Sequence, residues 1–166
     1  MSTATAEPKL DPRTGKYLTF HLAREEFAIQ VLRVREIMGM QDITAVPQTP
    51  AYMKGVINLR GKIVPVIDLR LKFGFPEVEA TSTTCIIVVQ LKSGREILLM
   101  GLLADAVSEV SNFTAGDIED TPDFGNGVST PYLLGIAKVK GSVKILLNID
   151  EVLSTTEVQN LESVLS

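Results

Sequence analysis

Few side chains in this chain are of the types that do covalent or metal chemistry, and they stand far apart in sequence. There is one histidine, His21, and one cysteine, Cys85. A nucleophile needs a base beside it, and this pair serves only if the fold joins them. Cys85 opens the apolar run Cys85-Ile-Ile-Val-Val-Gln-Leu91, which marks it as a core thiol, and His21 reads as a partly exposed strand residue. A zinc site draws on several Cys and His residues, so no metal is expected. The acids Asp117, Glu119, Asp120 and Asp123 lack the ordered twelve-residue calcium loop and its closing glutamate, and read as a solvated acidic loop. Neither GxxxxGK[ST] nor GxGxxG occurs, so no cofactor is expected. Asp68 and Asp105 remain as acids for an enzymatic reading. Asp68 has Asn148 as its repeat mate, which suits a strand end better than a catalytic acid.

The residues that stand out are charges set among apolar neighbours at turns. Glu36 lies between Val34 and Ile37, and Arg60 lies between Leu59 and Gly61. Such a pattern suits a small recognition patch, with apolar area for affinity and charge for partner choice. It suits a charged bend equally well.

The elements that must position these residues are strands. The chain has 166 residues, 45% apolar and only 5% aromatic, with no tryptophan. Its core must come from Val, Ile and Leu, which favour sheets. The net charge of −4 and the absence of a basic cluster argue against nucleic acid as a partner. No apolar run of membrane-spanning length occurs, so no direct membrane insertion is expected and the cytoplasm is the default location. Residues 1–15 read as a disordered leader. Residues 17–22 and 27–31 form a hairpin. Residues 31–37 form a short helical turn or distorted strand, ending at Gly39. Residues 55–69 form a second hairpin, where Pro65 marks a sheet edge or bulge. The run 85–91 is a strand buried on both faces. Residues 111–131 are an acidic loop, 133–149 a final hairpin, and 154–166 a C-terminal helix by the spacing of Val158, Leu161 and Leu165.

The sequence also repeats itself. Gly55-Val-Ile-Asn-Leu-Arg-Gly61 lies over Gly135-Ile-Ala-Lys-Val-Lys-Gly141, and Ile63, Val66 and Asp68 over Val143, Leu146 and Asn148, at a constant offset of 80. Val34-Arg-Glu-Ile37 lies over Val107-Ser-Glu-Val110 at an offset of 73. Two related halves, about 17–75 and 84–153, with short strands and no long helix, should build two small barrels that share a groove.

The stretch from Pro50 to Arg70, with Asn58-Leu-Arg-Gly61 at its centre, resembles the central motif of the CheW family of bacterial chemotaxis coupling proteins. Leu32-Arg-Val-Arg-Glu-Ile37 and Gly101 to Val110 resemble further parts of it, and the likeness runs from about Tyr17 to the C-terminal segment. It implies a mainly β fold of two SH3-like five-stranded β-barrel subdomains with interleaved boundaries, over 16–153. It implies a non-catalytic, cytoplasmic scaffold recruited to membrane receptor arrays. The partners implied are the cytoplasmic tips of methyl-accepting receptors and the regulatory domain of the histidine kinase CheA. Carried over by residue, the partner-binding candidates are Val34, Glu36, Gly55, Asn58 and Arg60, with Val31 and Ile37 adding apolar area. Kinases and receiver-bearing adaptors contain the same domain. At this length a free-standing coupling protein is expected over a domain cut from a longer chain.

Overall fold

The computed structural model describes residues 11–93, 95–121 and 132–153, without the side chain of Ser93. The first half runs β1 (Gly15–Leu22), β2 (Glu25–Gln30), a 3-10 turn (Val31–Arg33), β3 (Val34–Gly39), β4 (Met53–Leu59), β5 (Lys62–Asp68) and α1 (Leu69–Lys72). The second runs β6 (Cys85–Ser93), β7 (Glu96–Ala104), β8 (Ala106–Phe113), a 3-10 turn (Ala115–Asp117), β9 (Ile118–Glu119), β10 (Leu133–Val139), β11 (Ser142–Leu147) and a 3-10 turn (Ile149–Glu151).

These strands form two sheets, and each sheet takes strands from both halves. One has the order β3-β6-β7-β5-β4, the other β8-β1-β2-β11-β10-β9. The opening hairpin of each half therefore sits in the sheet that contains the closing hairpin of the other. The seams are equivalent: β5 runs parallel to β7 with Val66 opposite Gly101, and β11 runs parallel to β2 with Leu146 opposite Ala28. Each sheet also curls round on itself. The chain leaving β3 returns along β4, where Thr44 and Val56 exchange two backbone bonds of 2.9 Å. β8 leads into β9, which pairs with β10. The result is two small barrels that exchange hairpins. We call the one holding β4 and β5 the first barrel.

The repeat is kept in local detail. A bulge falls between Val34 and Glu36 in β3, and its mate falls opposite Thr19 and Phe20, between Val107 and Glu109 of β8. Bulges sharpen twist and help a small sheet to close. Arg60-Gly61 has φ of 51° and 89°, and Lys140-Gly141 has 52° and 78°. Both pairs are two-residue hairpin turns with positive φ at each position, which match strand twist. Asp68 caps α1 by accepting from the amides of Arg70 and Leu71, and Asn148 caps the last 3-10 turn by accepting from Asp150.

Alternation sorts the apolar residues into three cores. Ile86 and Val88 of β6 join Ile57, Val64 and Val66 inside the first barrel. Ile87, Val89 and Leu91 face the other way, into a shared core with Leu18, Phe20 and Ile29 of the second barrel. Tyr17, Ala28, Phe113 and Leu146 fill the second barrel. This explains why β6 is apolar without alternation: both its faces are buried. Phe27, Phe73 and Tyr132 stack in series in the shared core, with centroid separations of 5.8 and 5.1 Å.

Several sequence expectations need revision. The expected leader is tied down at its inner end: β1 starts at Gly15, and Arg13 bonds Asp11, Asp120 and the Leu134 carbonyl. The acidic segment 111–131 is not one loop, because Ser111 to Phe113 complete β8 and β9 follows. Residues 122–131 and the C-terminal helix expected over 154–166 lie outside the described residues. Pro65 stands in β5 between two neighbours in the sheet order, yet its parallel ladder with β7 begins only at Val66. At Pro65 the strand is locally an edge, so the missing amide costs no ladder bond on that side.

Candidate partner-binding site

Glu36 and Arg60 lie 24 residues apart and meet across one end of the first barrel, with Arg60 Nη1 donating to Glu36 Oε1 at 2.7 Å. β3 delivers Glu36 just past its bulge, and the β4–β5 turn delivers Arg60. The pair lies at a cavity of about 350 Å³ lined also by Arg35, Leu59, Lys62 and Leu99. Leu59 and Leu99 pack on the barrel's own core and form an apolar floor. The Arg60 side chain is 73% exposed, that of Glu36 28%. The bond to Glu36 raises the pKa of Arg60, so the guanidinium stays charged.

The other candidates divide by role. Asn58 sits in the same turn, where Oδ1 accepts from the Gly61 amide at 2.8 Å and braces the hairpin. Gly55 is buried, with φ of 143°, and a Cβ there would stand 2.1 Å from the Thr44 carbonyl oxygen. Its place is where the chain leaving β3 closes on β4, not at the cavity. Val31 and Val34 are half-buried against the shared core, while Ile37 is 45% exposed on β3. The cavity thus opens at the end of one barrel rather than in the junction between two, because the junction is filled by the shared core. Arg35, Lys62, Leu59 and Leu99 are lining residues that sequence reasoning missed. Leu99 comes from β7, which nothing local in the sequence places beside the Arg60 turn.

The acids weighed for catalysis are occupied structurally. Asp68 is buried and commits Oδ1 to the α1 cap. Burial pushes its pKa up against the pull of the two amides. Asp105 accepts Arg70 Nε at 2.8 Å, Arg70 Nη2 at 2.6 Å and the Ala23 amide at 2.7 Å. Burial and the charge of Asp105 raise the Cys85 thiol, which favours its neutral, unreactive form. Asp117 closes a capping box with Thr114, Glu119 pairs with Lys138, and Asp120 pairs with Arg13. Among the described residues no helix is long and apolar enough to cross a membrane.

Residues 16–157 match the family described as the CheW-like domain. The chain belongs to that family. It is 38% identical to the chemotaxis protein CheW of Klebsiella aerogenes over 149 residues, covering 90% of this chain and 87% of the relative. It is 35% identical to the CheW of Rhizobium meliloti, covering 84% and 88%. Among solved structures it resembles the scaffolding protein TtCheW of Thermoanaerobacter tengcongensis, with a TM-score of 0.75 and 32% identity over 87% of this chain and 95% of that one. Two SH3-like β subdomains are thus the fold of this CheW-like chain as well as the reading of its repeat.

Proposed function

We propose that this CheW-like chain is a non-catalytic chemotaxis scaffold that couples methyl-accepting receptors to the histidine kinase CheA. It works in the cytoplasm and is recruited to receptor arrays. The observation that carries the reading is the open end of the first barrel. There an apolar floor and the Glu36–Arg60 pair face outward over a cavity that encloses no reactive group. Such a surface fits a helical hairpin tip laid across it, with apolar contact for affinity and charge for orientation. A second surface for the kinase regulatory domain makes the chain a bridge, and bridging raises the partners' effective concentration.

The test is co-sedimentation of the chain with a receptor signalling tip and CheA. Arg60→Ala is expected to weaken receptor capture about tenfold, a loss of about 1.4 kcal/mol. Glu36→Lys is expected to impair receptor-dependent kinase control while shifting the melting temperature by only about 2 °C, since part-exposed charges add little to folding. Wild-type receptor capture by both variants would remove the first-barrel opening from the partner surface.

A further inference from the structure

The duplication supplies an internal control for what the barrel itself requires. The register makes Gly101 equivalent to Ala28, hence Leu99 to Glu26 two residues earlier. The repeat makes Arg35, Glu36, Leu59, Arg60, Lys62 and Val64 equivalent to Ser108, Glu109, Val139, Lys140, Ser142 and Lys144. The same set of positions therefore occurs in both barrels, with different contents. In the second barrel Lys144, buried where Val64 stands in the first, reaches Glu26 at 3.1 Å and Glu109 at 3.4 Å. Ser142 Oγ adds a contact of 3.5 Å to Glu26. Lys144 faces both anions, and Lys140 at the turn makes the charges at these positions two against two, so that end is balanced and filled from inside by Lys144.

The first opening is neither. Arg35, Arg60 and Lys62 face the single anion Glu36, an excess of two positive charges in a chain whose net charge is −4. Arg35 and Lys62 are exposed, and neither side chain has a hydrogen bond or ion pair among the described residues. Arg60 uses one nitrogen on Glu36, and its other donors have no partner among the described residues. The second barrel closes with serine at both equivalent positions, so the fold does not require cations at 35 and 62.

We propose that the first opening is a carboxylate-binding site, in which Arg35 and Lys62 select an acidic side chain carried on a partner helix. The identity of that helix as the receptor tip rests on the coupling function above. The acid lies over Leu59 and Leu99, which pack its methylenes, and its carboxylate bridges the two unpaired cations beside the Glu36–Arg60 pair. Charge-assisted bonds of this kind orient a helix as well as hold it.

The experiment uses the full chain and four probes: a synthetic helical peptide with glutamates four residues apart, its glutamine twin, a receptor-tip fragment and inorganic phosphate. The variant is R35S/K62S, which installs the residues the second barrel already carries. The glutamate peptide is expected to shift the NMR signals of Arg35, Arg60 and Lys62, and the glutamine twin to leave them unmoved. R35S/K62S is expected to keep its melting temperature, bind the tip fragment about tenfold more weakly, and show a shallower salt dependence. Equal response to the two peptides overturns the proposal, as does equal response to inorganic phosphate and the glutamate peptide. So does wild-type tip binding by the variant at every salt concentration. If the tip fragment fails to bind the wild-type chain while the glutamate peptide does, the receptor assignment falls and the carboxylate site stands.

Discussion

Gly55 illustrates how one residue can carry a signal whose meaning depends on what approaches it. A glycine with φ of 143° marks a backbone approach that no side chain tolerates. In the fold the approaching atom is the Thr44 carbonyl, and Gly135 faces the Glu119 carbonyl in the same way, at 2.7 Å from a built Cβ. Gly55→Ala is therefore expected to lower unfolding free energy by at least about 2 kcal/mol in urea titration, through clash and strain at once. A variant of wild-type stability that loses partner binding would instead place Gly55 in the partner surface. Asp68 is a second case, read against its mate Asn148. The neutral amide makes the same kind of cap without burying a charge. Burial raises the folded pKa of Asp68 above its unfolded value, so its ionisation opposes folding as pH rises from about 4. Asp68→Asn is expected to match the wild type below that pH and to equal or exceed it by up to about 1 kcal/mol at pH 7, by urea titration at both values. A loss of stability that grows with pH would mean that the charge is needed.

At the scale of elements, the two ends of the barrel junction are each fastened by an ion pair, and the charges of the two pairs are reversed. Arg70, just after β5, holds Asp105 between β7 and β8, and Asp105 accepts the Ala23 amide from the β1–β2 turn. At the other end Asp150, the repeat mate of Arg70, pairs with Arg33 of the first 3-10 turn and accepts the Lys92 amide at 3.0 Å. Arg33 also donates to the Gln90 carbonyl at 2.8 Å. Burial alone would raise the Asp150 pKa, but Arg33 and the Lys92 amide outweigh it and hold the carboxyl below its usual range. A depressed folded pKa contributes stability above the unfolded value near 4 and loses it as pH falls through the folded one. Asp150→Asn is expected to cost about 1–2 kcal/mol at pH 7, and the gap to the wild type should narrow steadily below about pH 4 in chemical denaturation. A gap independent of pH would assign the loss to packing. Neither fastening is legible in the sequence, because Arg33 and Asp150 lie 117 residues apart and each reads as a solvated charge. The strands themselves were legible, since period-two apolar patterning and paired glycines are local. Arg35 and Lys62 do not stand out in the sequence for the opposite reason: an exposed charge beside a turn is ordinary until its counterpart in the other half proves to be serine.

For the whole molecule, the exchange of hairpins decides how the chain can come apart. The repeat visible in sequence suggests two units separable near residue 80, but neither half contains a complete barrel. Residues 11–75 hold β3, β4 and β5 without the β6–β7 hairpin that completes their sheet, and hold β1 and β2 without β8–β11. A half expressed alone would leave open the seam from Val66 to Asp68 and expose β1 along the edge that β8 covers. Unpaired edges and uncovered apolar faces favour aggregation over folding. Each half alone is therefore expected to lack the near-ultraviolet circular dichroism of the intact chain, and mixing the halves during refolding should restore it, because every missing partner strand is in the other fragment. The intact chain should unfold in one urea transition, with probes in the two barrels agreeing in midpoint, since the shared core joins β1, β2, β6 and β7 into one cooperative unit. Two separated transitions, or a half that folds by itself, would mean that each barrel is held by its own contacts and that the exchange adds little. A scaffold that unfolds in one step would loosen one barrel only by loosening the other, and a partner seated on the first barrel would then act on a single rigid body.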